Sequence, residues 1–151
     1  MFKKIITIIT LMLITGCEYV PIYSVNKNKN ISINSIKSVS GDRKLNISLE
    51  RNLKKYKLNN SNKPFDIIIK TIYEKETISK NTSGTASKYQ LKATAMFEIK
   101  HNNNTESVTF VEIFNFDRTD DDYENKIYEE NIKQNFANSL TEKLIIKLSM
   151  L

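Results

Sequence analysis

Cys17 is the only cysteine in the 151-residue chain, and it stands directly behind Ile14-Thr15-Gly16. An unpaired thiol in an exported protein is a stray reactive group unless some reaction consumes it. What precedes it says that this chain is exported. Lys3 and Lys4 give a positive start, and Ile5 to Ile14 is aliphatic apart from Thr7 and Thr10. A membrane span needs roughly 20 apolar residues, about twice this run. A charged start, a short apolar stretch and small residues before a cut site describe a secretory signal over residues 1–16.

Other residues that can do chemistry are few. His101 sits in an Asn-rich turn with no second ligand near it in sequence, which argues against catalysis or metal binding. Asp117, Asp120, Asp121 and Asp122 form an acidic run, but the calcium-loop spacing and its distal glutamate are missing. Helix capping accounts for them more simply. The three glycines are scattered, which excludes a phosphate loop, and Ser83-Gly84 lacks the frame of a nucleophile elbow. The sequence is that of a non-enzyme, and no residue cluster in it calls for a metal or a cofactor.

The residues Ile14-Thr15-Gly16-Cys17 resemble the lipobox of bacterial lipoproteins: aliphatic, small, Gly or Ala, then Cys. That resemblance implies a diacylglyceryl thioether on Cys17, cleavage before it, and acylation of the new amine. Alternatives are a buried or free cysteine in an ordinary secreted protein, or a plain N-terminal membrane anchor. The lipid reading leaves no thiol for an intramolecular disulfide. Each buried methylene contributes about 0.8 kcal/mol, so one chain holds only marginally and several hold durably. Glu18 follows the cysteine. An aspartate there is a common inner-membrane retention signal in enteric bacteria, and its absence favours the outer membrane.

Removal of the signal leaves about 135 residues, enough for one domain with one core. The full chain carries +6, unevenly spread. Cys17 to Lys100 holds 16 basic and 7 acidic residues, whereas His101 to Leu151 holds 5 basic and 10 acidic. A basic front with an acidic tail suggests a polyanionic partner for the front. A genome rich in Lys, Asn and Ile codons explains the lysines equally well, as solvated faces.

Residues 17–30 read as a lipidated tether: Pro21 favours extension, the Asn-Lys repeats bury nothing, and Tyr19 and Tyr23 suit a membrane interface. A single domain then spans 31–151. Ile31, Ile33, Ile36 and Val39 predict a strand. Asp42 is a candidate N-cap for a helix with Leu45, Leu49, Leu53 and Tyr56 on one face, and Lys54, Lys55 and Lys57 at its negative end. Three strands follow. One carries Phe65, Ile67, Ile69 and Tyr73 on one parity, and a second alternates from Tyr89 to Ile99. A third carries Val108, Phe110, Phe114 and Phe116. Turns at 81–85 and 101–104 make the three an antiparallel meander. A long helix from about Tyr123 to Leu148 aligns Tyr128, Ile132, Phe136, Leu140 and Leu144, with Ile127, Ile145 and Leu148 beside them. The order β-α-β-β-β-α predicts an α+β two-layer sandwich, a four-stranded, mostly antiparallel sheet covered on one face by both helices. The other face, with Lys92, Thr94, Met96 and Lys100, is left for a partner.

In this order, CEYVPIYS, DRKLNISLERNL, SGTASKYQLKATAMFEI and the closing leucine-ended helix resemble the LptE family of LPS-assembly lipoproteins along essentially the whole chain. The resemblance implies the same sandwich fold, location at the periplasmic face of the outer membrane, and seating as a plug inside an LptD-like β-barrel. It also implies binding of lipopolysaccharide and its delivery to the outer leaflet, with no role for nucleic acid. Lys80, Lys88 and Lys92 are the candidates for lipid A phosphates. For each, a solvated strand-edge lysine that blunts aggregation is the alternative. A different class is an auxiliary lipoprotein of an ABC-type lipid transporter. A third is a structural lipoprotein holding envelope layers together, for which the chain lacks heptads or a lysine tail.

Overall fold

The computed structural model describes residues 31–57 and 64–151. The expected signal, the tether and Cys17 lie outside the described residues. The elements are β1 (Ser32–Ser40), α1 (Arg43–Lys54), β2 (Pro64–Lys80), β3 (Ala86–His101), β4 (Asn104–Asp117) and α2 (Asp122–Leu148). They form one four-stranded sheet in the order β1-β2-β3-β4. β1 runs parallel to β2, as a strand must when a helix carries the chain back to its starting end. The β2–β3 and β3–β4 pairs are antiparallel, as the close turns require.

Both turns have a local cause. Asn102 and Asn103 take positive φ, 47° and 65°, which suits a two-residue hairpin whose twist matches the strands. At the other end, the Asn81 side chain accepts from the Ser83 and Thr85 amides, and Gly84 takes φ +79°. The helices start where the sequence places their caps. The Asp42 carboxylate accepts from Leu45 N at 2.8 Å. Asp121 caps α2, accepting from Tyr123 N and Glu124 N. The acidic run therefore serves the positive end of a helix dipole.

The core lies between the sheet and both helices. Ile67, Ile69, Leu91, Phe97 and Ile99 line the sheet side, with Ala93 and Ala95 giving the helices a close approach. Leu45, Leu49 and Leu53 come from α1, and Phe136, Leu140, Leu144 and Leu148 from α2. Tyr56 lies just past α1 and packs on this core. The helices run side by side in the same direction, joined by hydrogen bonds from Ser48 to Gln134 and from Asn52 to Asn138. α1 spans roughly 18 Å and α2 roughly 40 Å at 1.5 Å per residue, so α1 covers only part of the sheet's length.

The expected stripe on α2 fails at its N-terminal end. Ile132 and the positions after it are buried, but Tyr128 is 46% exposed and Ile127 41%. Phe114 on β4, expected to face inward, is also exposed. These residues lie beyond α1, where the second helix that would enclose them is missing. Val39 is exposed as well, because a register shift between Ile33 and Ser35 reverses the parity of β1, so that Ile36 and Ser38 align with the buried Ile67 and Ile69 and Val39 points outward.

At Gly41 the backbone passes close against β2. This glycine has φ +113°, and a Cβ there would fall 2.1 Å from the Thr71 carbonyl oxygen. The Thr71 hydroxyl donates to Asn46 Oδ1, and Asn46 Nδ2 donates to Ser40 O, tying β2, α1 and β1 together around that glycine. Gly84 also has positive φ, but no atom lies within 4 Å of its Cβ position. Gly41→Ala is therefore expected to cost more than ~2 kcal/mol, combining strain with a backbone clash, whereas Gly84→Ala costs about 1 kcal/mol of conformational strain. Urea unfolding of the two variants checks the difference.

Candidate functional site

The sheet face away from the helices is uncovered among the described residues. Registers place Ile72, Thr94 and Val111 side by side across β2, β3 and β4, with Glu74, Lys92 and Ile113 in the next row. Ile72, Val111 and Ile113 are 48%, 43% and 56% exposed. A band of aliphatic side chains thus lies open on a face that is otherwise largely polar and charged. Contiguous exposed apolar surface rimmed by polar groups is the usual mark of an interaction surface.

Lys80, Lys88 and Lys92 all come to this face. Lys80 pairs in register with Ala86, two positions before Lys88 on the same side of β3, and Lys92 follows four positions later. Lys88 lies 3.6 Å from Asp117, and Lys92 3.2 Å from Glu74. Lys80 has no ion pair among the described residues. The basic front and acidic tail of the sequence are joined in the same way: Lys44 pairs with Glu130, and Lys75 with Glu129. Folding thus neutralises part of the charge asymmetry inside the molecule.

At the end of the sandwich beyond α1, a polar joint replaces the aliphatic core. The Tyr73 hydroxyl donates to Glu129 Oε1 and the Lys75 ammonium to Oε2, both at 2.8 Å. Lys133 stands 3.6 Å from Glu129 and 3.3 Å from the capping Asp42, with its ammonium 3.8 Å from the Tyr73 ring centroid. Burial alone pushes the Glu129 carboxyl up. The hydrogen bonds from Lys75 and Tyr73 and the charges of Lys75 and Lys133 outweigh it and hold the carboxyl below the usual range. Burial, then the hydrogen bond to Glu129, pushes the Tyr73 phenol upward.

Next to this joint the chain leaves a cleft of about 610 Å³ between the end of β4 and the first turns of α2. Phe116, Tyr123, Ile127 and Tyr128 form its apolar walls, and Asp117 and Glu124 are among its polar lining. The Tyr128 ring lies 5.4 Å from Phe116 and 6.3 Å from Phe114, centroid to centroid. The helix stripe in the sequence named Tyr128 and Ile127 but gave no sign that they border an opening. An acidic lining with apolar walls disfavours a phosphate and suits an uncharged or apolar group. His101 lies at the opposite end, its Nδ1 3.3 Å from Pro64 O and its ring against Phe65. Among the described residues no group of His, Cys, Asp and Glu could hold a metal ion, and no helix is long and apolar enough to cross a membrane.

No protein-family model matches the chain, and no curated protein does. Solved structures do match. Rare lipoprotein B from Shewanella oneidensis is 14% identical with a TM-score of 0.53, over 76% of this chain and 96% of its own. A minor lipoprotein from Acinetobacter baumannii is 13% identical with a TM-score of 0.52, over 75% of this chain and 93% of its own. The β-α-β-β-β-α sandwich is thus a fold found in proteins named as lipoproteins.

The polar joint gives a pH signature. A carboxyl held below its unfolded pKa adds stability above that value and loses it as pH falls through the folded pKa. Stability is expected to decline from the ordinary glutamate range, about 4.3, downward. Asp66 adds to this decline, its carboxyl being lowered mainly by the Ser35 hydroxyl. Glu129→Gln is expected to cost about 1–2 kcal/mol at pH 7 and to flatten the acid limb. Urea midpoints at pH 7, 5 and 3 measure both effects.

Proposed function

We propose that this chain is a lipid-anchored envelope protein that seats inside an LptD-like outer-membrane β-barrel and helps pass lipopolysaccharide to the outer leaflet. The observation that carries the reading is the open sheet face, with Ile72, Val111 and Ile113 exposed beside alternating charges. A protein working alone in water has no use for that surface, whereas one enclosed by a partner buries it. Its action is scaffolding and lipid handling, with no bond made or broken.

The ends of the fold suit such an arrangement. Ile31 enters at the end where Tyr56 O accepts from Ile33 N and where Lys147, near the end of α2, meets Glu106. The described chain begins at that end, so a lipid on Cys17 would place it nearest the membrane. The β2–β3 hairpin then points away from the anchor. Strands rise about 3.3 Å per residue, so Lys80, Lys88 and Lys92 stand tens of ångströms from the Ile31 end of the sheet. Exposed ion pairs are worth ~0–1 kcal/mol, so Lys88 and Lys92 can exchange Asp117 and Glu74 for a lipid A phosphate at little cost.

The test is a mild-detergent pull-down of the tagged chain from its native envelope, with partners identified by mass spectrometry. One large outer-membrane barrel in near-equal amount is the expected result. An ATPase and a permease without a barrel would replace this reading with that of a transporter accessory. With the barrel recovered, Lys88→Glu with Lys92→Glu is expected to leave the complex intact and reduce co-purified lipopolysaccharide severalfold. Unchanged lipid would remove these lysines from the site.

A further inference from the structure

The two edges of the sheet are built differently. β1 has only nine residues and two register shifts, and it pairs with β2 only from Pro64 to Lys70. The rest of β2 carries Lys75 and Lys80, with shifts between Thr77 and Ser79 and between Ser79 and Lys80. Bulges, lysines and shortness are the devices that stop an edge from recruiting another strand. β4 has none of them. Its fourteen residues, NTESVTFVEIFNFD, contain no proline, glycine or lysine. Its register with β3 is unbroken from Asn104 to Asp117.

The main-chain groups on that free edge can be assigned. His101 and Asn104 close the two-residue turn as a hydrogen-bonded pair, and such pairs alternate along an antiparallel ladder. The even-numbered residues of β4 therefore bond to β3. Thr109, Val111 and Ile113 point their amides and carbonyls outward. No strand among the described residues meets them. Two acids on β4 have side chains on the helix side, but both are already neutralised. Glu112 meets Lys143 at 2.6 Å and Ser139, and Glu106 meets Lys147 at 2.5 Å.

We propose that the β4 edge pairs with the β4 edge of a second copy of this chain, antiparallel about a two-fold axis at Val111. The sequence is self-complementary in that register. Val111 faces Val111, Ile113 faces Thr109, Phe110 faces Glu112, and Phe116 faces Glu106. No like charges meet. Centring on Glu112 would oppose two glutamates, and centring on Thr109 would set Glu112 against Glu106. The Val111 register also joins the exposed Val111 and Ile113 of both copies into one aliphatic strip on a continuous eight-stranded face. This goes beyond the barrel reading and concerns copies not seated in a barrel, because a paired sheet and a singly enclosed chain exclude one another.

A photo-crosslinking amino acid at Ile113, in the full chain in its native envelope, tests the pairing. The expected product is a covalent pair of this chain, with the crosslink mapping near Thr109. Thr109→Pro removes an outward amide that β3 does not use, and Val111→Lys puts a charge on the two-fold axis. Each is expected to reduce the product at least tenfold while the thermal unfolding midpoint stays near wild type. Val111→Lys decides the matter should the proline variant fail to fold. Crosslinks only to a barrel or another protein, no crosslink at all, or a product that survives Val111→Lys would each overturn the proposal.

Discussion

The structure depends on keeping one face of a long, narrow sheet dry. Strands of 14 to 17 residues present an apolar underside that no short helix can cover, and α2, with 27 residues, is the longest helix among the described residues and covers most of it. Burial of that face is the dominant favourable term in the fold. Where α1 lies beside α2, the core is aliphatic and complete. Where α1 stops, the chain meets the same need with different chemistry. Lys133, only 15% exposed, is held among Asp42, Glu129 and the face of Tyr73, each of which satisfies part of its desolvated charge. Beyond that joint, only aromatic rings remain to cover the sheet, and the cleft beside Tyr128 is what they leave open.

The opposite face is under no such demand. Its side chains alternate charge with β-branched aliphatics, and most of the ions are paired across strands or with a neighbour. Exposed pairs of this kind add little stability. Their effect is to keep the face soluble while leaving its aliphatic band within reach of a partner. Proteins that share this fold are named as lipoproteins in two bacteria, at identities that carry the fold alone.

Charge shows how folding can redirect a sequence signal. Read along the chain, sixteen basic residues precede a tail of ten acids, a pattern that invites a polyanion. In three dimensions Lys44, Lys75 and Lys88 meet Glu130, Glu129 and Asp117 of that tail. Lys80 is left without such a partner among the described residues, at the hairpin tip.

The sequence by itself determined the elements and their order, because periodicity is written locally: the alternation from Leu91 to Ile99, the leucines of α1, and the carboxylate of Asp42 ahead of them. The run Ile14-Thr15-Gly16-Cys17, which resembles a lipobox, likewise needs no fold to be legible. Only the tertiary structure decided which part of each apolar stripe is buried. Tyr128 and Ile127 share the helical face of Ile132 and Phe136, yet lie open because α1 ends short of them. It also decided that Gly41 must be glycine, since the obstacle is the carbonyl of Thr71, thirty residues away in sequence. The pairing of Lys75 with Glu129 and the unguarded edge of β4 have the same origin. Each depends on what lies beside a residue in space, and a period of two or of 3.6 carries no record of that.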